Sequence, residues 1–188
     1  MTSNATLYFE SLREYKDIQE LIGTQENLFV DFKETRGIYG KMHEDDKKNF
    51  SKAASGFAHQ EGGVIVWGIE ARKDKDGVDQ VNGLKPIQDV KIFKQELDDY
   101  VKNATEPILD GIDSRIIFEN DNAQSNKGFV VSYFPKSYRE HRAIYKSKNK
   151  ELSGFYKRHG AGFSVLTTAE IKALFFSFFI TKSSSVIS

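Results

Sequence analysis

The chain has 188 residues, with 27 Lys/Arg balanced by 27 Asp/Glu, no cysteine, 39% hydrophobic and 29% charged residues. That length and balance suit one folded domain with its own core, and they exclude a disulfide framework and a thiolate zinc site. No apolar run reaches the ~18 residues of a membrane span. The N-terminus also lacks a signal-peptide layout, so the expectation is a soluble, cytoplasmic protein without a membrane partner.

Leu7, Leu12, Tyr15, Ile18, Leu21 and Ile22 recur at helical spacing, and Gly23 provides a stop. Glu26 to Lys33 then reads as a strand, with Leu28, Val30 and Phe32 on one face and Phe29, Asp31 and Lys33 on the other. Glu34 to Glu44, with its two glycines, reads as a loop. Asp45 to Gln60 is the strongest helix in the chain, presenting Phe50, Ala53, Ala54, Phe57 and Ala58 on one face. Directly after it, Gly62-Gly63-Val64-Ile65-Val66-Trp67-Gly68-Ile69-Glu70 reads as a central strand buried on both faces, around which the rest is arranged. Gly68 inside it marks a close approach of backbone or ligand.

Ala71 to Gln80 reads as a solvated loop, and Asp89 as the cap of a helix running to about Asn103. Ile112–Phe118 and Gly128–Phe134 read as strands, with shorter extended pieces at Ala143–Lys146 and Gly154–Arg158. Thr167 and Glu170 form a capping box for a last helix. The fold class expected is α/β, an α+β mixed sheet flanked by helices. The chain divides into an N-terminal helical extension over 1–23, the main domain over 24–176, and an aromatic, Ser-rich tail over 177–188. Phe175-Phe176 and Phe178-Phe179 are too apolar for a free end, so the tail is expected to dock on the body or to form a homodimer.

The zero net charge hides an uneven distribution. Lys136 to His159 carries eight Lys/Arg against two acids, which leaves that segment at +6 and the remainder at −6. Within it, Tyr138, Arg139, His141, Arg142, Tyr145 and Lys146 interleave rings with cations, and Lys157-Arg158 repeats the theme. Rings stack on unpaired bases while cations hold phosphates, so nucleic acid is the expected partner. The competing reading is a solvated hairpin whose tyrosines cover the edge of the core. No Walker or Rossmann glycine pattern is present, and the four histidines are scattered.

Three carboxylates stand out. Glu26 and Asp31 flank the first strand and Glu70 ends the central one. If those strands are neighbours, the three converge, and clustered carboxylates call for a divalent cation or a proton among them. Mg²⁺ or Mn²⁺ held there would activate water against a phosphodiester, with Lys33 steadying the phosphate. The bland reading is that Glu26 and Glu70 are solvated strand ends and Asp31 pairs with Lys33.

Taken in order, Glu26 to Lys33 (E-x(4)-D-F-K), Ala54 to Glu70 (A-S-G-F-A-H-Q-E-G-G-V-I-V-W-G-I-E) and Tyr156 to Gly160 (Y-K-R-H-G) resemble the Schlafen AlbA-type domain. The resemblance implies nucleic-acid binding on a mixed α/β fold, and for animal Schlafen proteins an endoribonuclease acting on structured RNA such as transfer RNA. Its three acids fall on Glu26, Asp31 and Glu70, which makes RNA the favoured partner over DNA and a metal-dependent endonuclease the leading expectation. A non-catalytic DNA- or RNA-binding module of a transcriptional regulator is the alternative. Asp31 stands where the family has glutamate, and His59-Gln60 where Asn-Thr is common.

Overall fold

The computed structural model describes residues 3–73, 79–148, 150–160 and 162–184, with side chains given as far as Phe176. The first helical stretch is split into α1 (Asn4–Ser11) and α2 (Tyr15–Gln19). The break has a local cause, because the Asp17 carboxylate accepts the backbone N–H groups of Arg13 and Glu14 and starts a second helix there. The strand expected over Glu26–Lys33 is reduced to β1 (Val30–Lys33), and Leu28 lies in the preceding turn, exposed.

α3 (Glu44–Ala58) is capped by His43, whose ring accepts the Asp45 N–H, while Asp46 accepts the His43 N–H in return. Three acids fill its first turn, where the helix dipole favours negative charge. Its small residues serve close packing: a Cβ on Gly56 would come within 2.5 Å of the Phe163 ring. β2 (Gly63–Trp67) is completely buried, as expected for a two-faced central strand. Both described ends of the expected Ala71–Gln80 loop are strand. The chain passes through Gly68 (φ +93) into β3 (Ile69–Lys73), which pairs antiparallel with β4 (Asp79–Leu84). What comes close at Gly68 is the protein itself, since its carbonyl accepts the Lys85 N–H at 2.7 Å and the Phe129 ring closes in.

β5 (Ile87–Gln88) precedes α4 (Val90–Ala104). Asp89 does not cap that helix with its side chain; it is left-handed, and its carboxylate accepts from the Asn126 amide. After β6 (Thr105–Glu106), β7 (Asp113–Phe118) and β8 (Lys127–Phe134) form the expected hairpin. β9 (Arg142–Lys146) pairs with β10 (Glu151–Gly154) and β6, and β11 (Tyr156–His159) pairs with β12 (Gly162–Val165). α5 (Thr168–Ser184) begins at the expected capping box, in which Glu170 N–H donates to Thr167 and Thr167 N–H donates to the Glu170 carboxylate.

The architecture is mixed α+β. β1 runs parallel to β2, β2 antiparallel to β8, and β5 and β7 also pair with β8. Both faces of this sheet are covered. Ile65 and Trp67 of β2 point into a core with Phe50, Phe57 and Phe93 from α3 and α4, while Val64 and Val66 point into one with Phe9 and Ile18 from α1 and α2. Asp31 registers with Ile65 across the parallel pair, so it lies on the face toward α3. No helix among the described residues is long and apolar enough to cross a membrane. Of the aromatic cluster expected to dock the tail, Phe175 meets the Phe155 ring at 5.9 Å and Phe176 is exposed, while the side chains of Phe178 and Phe179 lie outside the described residues.

Candidate nucleic-acid interface

Glu26 and Asp31 do come together, and the group between them is Arg158. The guanidinium is completely buried and makes four bonds to the start of β1. Its Nη1 donates to Asp31 Oδ1 at 2.6 Å, and its Nη2 donates to Glu26 Oε2 at 3.0 Å and to the Val30 carbonyl at 2.9 Å. Its Nε donates to the Asn27 carbonyl at 3.2 Å. The planar fork of arginine suits this two-carboxylate cradle in a way that a lysine would not. The Phe163 ring covers it, with its centroid 4.9 Å from the guanidinium carbon.

Lys33 supplies the second cation. Its Nζ donates to Asp31 Oδ1 at 2.8 Å and to the Phe32 carbonyl at 3.1 Å, and it stands 3.9 Å from Glu26. Glu26 Oε1 accepts the Phe32 N–H at 2.9 Å. Burial, and then the neighbouring Asp31 charge, pushes the Glu26 carboxyl up to about 7, against the pull of Lys33 and Arg158.

Glu70 does not join the pair. Its carboxylate pairs with Arg72 and lies 3.8 Å from Lys85. A polar cleft of about 590 Å³ opens beside Glu26 and Lys33, and the β3 residue lining it is Ala71, followed across the hairpin by Asp79. The side chains of adjacent strand residues point to opposite faces, and it is alanine that reaches the cleft. The convergence of Glu26, Asp31 and Glu70 is therefore corrected by the β3–β4 hairpin.

The donor set does not fit a divalent cation. Mg²⁺ needs several oxygens at about 2.0–2.1 Å, whereas Asp31 Oδ1 and both Glu26 oxygens already accept hydrogen bonds. The oxygen left without one, Asp31 Oδ2, is sealed from solvent and lies 2.8 Å from the Lys33 ammonium. Arg158 and Lys33 already supply positive charge at the place where a metal ion would bring it. Among the described residues no three His, Asp or Glu side chains are placed to hold a metal ion.

The basic segment divides by alternation. On β9, Ala143 and Tyr145 are buried under α3, while Arg142 and Lys146 face outward. Tyr145 thus covers the core, its ring carrying the Lys48 ammonium at 5.3 Å, and is not available to stack on a base. His141 is also buried, its ring nitrogens 2.9 Å from the Pro107 carbonyl and 2.7 Å from Ser137 Oγ. Arg158 is committed to Glu26 and Asp31. Lys157 pairs with Glu170, whose carboxyl is held down at about 2 by that ammonium and by Thr167. Burial takes Tyr145, His141 and Arg158 out of the set of contact residues expected from sequence, while Lys157 is tied to Glu170 in a pair near the surface.

What stays outside is Tyr138, at 67% exposure, together with Arg139, Arg142 and Lys146. Arg142 is paired with Glu106, while Arg139 and Lys146 have no carboxylate partner among the described residues. A groove of about 730 Å³ runs beside β9, lined by Arg142, Lys146, Tyr100 and, from the first turns of α3, Lys47, with Glu44 and Glu151 also on its walls; Tyr138 and Arg139 do not line it. The sequence reading missed Lys47; the signal was available in the Lys47-Lys48 pair opening an amphipathic helix.

The family model described as Schlafen, AlbA_2 matches residues 26–166, which spans β1 through β12. The chain belongs to the Schlafen AlbA_2 family. Family membership points to a function on nucleic acids. No curated protein matches the sequence. Among solved structures, the DIP2311 protein from Corynebacterium diphtheriae is similar at 14% identity and a TM-score of 0.46, over 87% of this chain. The chain spans 28% of the length of that protein.

Proposed function

We propose that this Schlafen AlbA_2 chain is a nucleic-acid-binding module that grips its partner on the outer face of β9 and does not hydrolyse it at the Glu26–Asp31 site. The observation that carries the reading is Arg158, whose guanidinium holds one oxygen of each carboxylate from inside the protein. Contact falls to Tyr138, Arg139, Arg142, Lys146 and Lys47. The exposed ring offers a stacking face for an unpaired base, and the cations offer phosphate contacts. Single-stranded or looped RNA is the first choice, because its bases are free to stack.

A metal-dependent endoribonuclease is the second reading. The observation in its favour is that Glu26 and Lys33 line an open polar cleft, so a substrate has access to them. Incubation with labelled transfer RNA and single-stranded DNA, with Mn²⁺ or with chelator, separates the two. Binding without cleavage supports the module, and Mn²⁺-dependent cleavage supports the enzyme.

A further inference from the structure

The loop that carries Tyr138 and Arg139 is fastened at both ends to the last residues of α3. At one end Ser137 N–H donates to the Ala58 carbonyl at 2.9 Å. At the other, His141 N–H donates to His59 Nε2 at 3.0 Å. His59 itself sits at the C-terminus of α3, with its Nδ1 3.1 Å from the Tyr156 carbonyl of β11. An amide N–H only donates and a carbonyl only accepts. The ring is therefore required to carry its proton on Nδ1 and a lone pair on Nε2, a single neutral tautomer. Adding a proton would set a second N–H against the amide of His141 and break that fastening.

We infer that His59 is the positioning residue of the nucleic-acid interface, its neutral imidazole stapling the Ser137–His141 loop to α3, and that protonation of His59 releases the loop and weakens binding. The inference rests on the reading that Tyr138 and Arg139 touch nucleic acid. The groups around the staple are few. From the loop, Glu140 favours the charged ring, while His141 opposes it. From β11 the Tyr156 carbonyl accepts from Nδ1, and the Phe155 ring lies 6.0 Å away. His141 in turn faces Asp110, Arg139 and Glu140. Burial is the largest influence on both imidazoles and pushes both below the ordinary range, so the ring stays neutral at physiological pH and the staple opens only on acidification.

The sign of the effect is diagnostic. A polyanion normally binds more tightly as histidines gain charge in acid, whereas the staple demands weaker binding. The test measures the affinity of the full chain for a fluorescent single-stranded RNA of mixed sequence, by anisotropy at fixed ionic strength, from pH 7.5 to pH 5. The expected result is a loss of about tenfold on acidification, corresponding to about 1.4 kcal/mol. In His59→Gln, whose side-chain oxygen takes the Nε2 role without titrating, the loss disappears; in His59→Leu the weakening is already present at pH 7.5. Nitrogen-15 spectra of the ring at pH 7.5 are expected to show the Nδ1–H tautomer, with loop amides of residues 138–141 shifting as the ring titrates. An Nε2–H ring, or loop amides indifferent to its titration, would overturn the staple whether or not RNA binds. Affinity that rises with acid equally in wild type and His59→Gln would overturn its role in binding. A chain with an intact staple that binds no nucleic acid at any pH would overturn the interface reading and, with it, the role of His59.

Discussion

Arg158 illustrates how one buried side chain determines what its neighbours do. Without it, Glu26 and Asp31 would be two carboxylates out of water, each needing a counter-charge. With it, the β11–β12 hairpin is tied to the start of β1 through four hydrogen bonds. Removing one partner from such a cluster strands the others, at a cost of about 3–5 kcal/mol. Arg158→Met, which keeps the bulk and loses the charge, is expected to lower the unfolding free energy measured by urea denaturation by that amount; a variant as stable as wild type would refute the keystone role.

Glu26 makes a second, pH-dependent prediction. Its carboxyl is raised from 4.5 to about 7, so the folded chain holds a proton that the unfolded chain releases in between. The stabilisation is present in full below the unfolded value and is lost as pH rises through the folded one. Calorimetry is expected to show the Tm of wild type falling relative to that of Glu26→Gln between about pH 4.5 and pH 8. Parallel curves would contradict the assignment. The sequence placed Glu26 and Asp31 at the two ends of the first strand candidate with Asp31 on the face opposite Val30 and Phe32, and the resemblance put both acids in one site; that β1 lies beside β2 came only from the fold. Arg158 was read as a surface contact because it lies 127 positions from Asp31. The alternation of Tyr156 with Arg158 was the signal: both are buried on the inner side of β11.

At the scale of elements, β2 was recognisable because nothing in its run of Gly63 to Trp67 tolerates solvent, and both sheet faces bear that out. Gly63 shows how tight the packing is, since a Cβ there would lie 2.1 Å from the Phe57 ring. Gly63→Ala is expected to cost about 1–3 kcal/mol through overpacking, measured by denaturant unfolding; a neutral effect would mean that α3 shifts freely on the sheet. Glu70 was misplaced for a reason of the same scale. The sequence reading stopped the strand at Glu70, whereas the chain turns through Gly68 and continues as a hairpin that directs Glu70 toward Arg72 and Lys85. Polar residues such as Arg72 and Gln80 disguised that hairpin as a loop. The break between α1 and α2 escaped for a similar reason, because the capping role of Asp17 depends on side-chain geometry within a helical pattern.

At the scale of the molecule, the basic segment is diluted by folding. Of its eight cations, Lys136, Arg142, Lys157 and Arg158 acquire carboxylate partners. The interface is therefore modest, and its salt dependence is expected to be modest too. Each phosphate contact on a single strand contributes about 0.7 to the slope of log affinity against log salt. Arg139→Ala and Lys146→Ala are each expected to reduce that slope by about this amount while leaving unfolding unchanged within about 0.5 kcal/mol. Slopes identical to wild type would remove both residues from the interface.

The most direct measurement is incubation of the purified chain with labelled transfer RNA and single-stranded DNA, in Mn²⁺ and in chelator, with binding and integrity of the strand followed together. The expected result is salt-sensitive binding of intact nucleic acid that is the same in both conditions. Cleavage that requires Mn²⁺ and is abolished in Glu26→Gln would contradict it, because Arg158 would then have to give up the carboxylates it now holds.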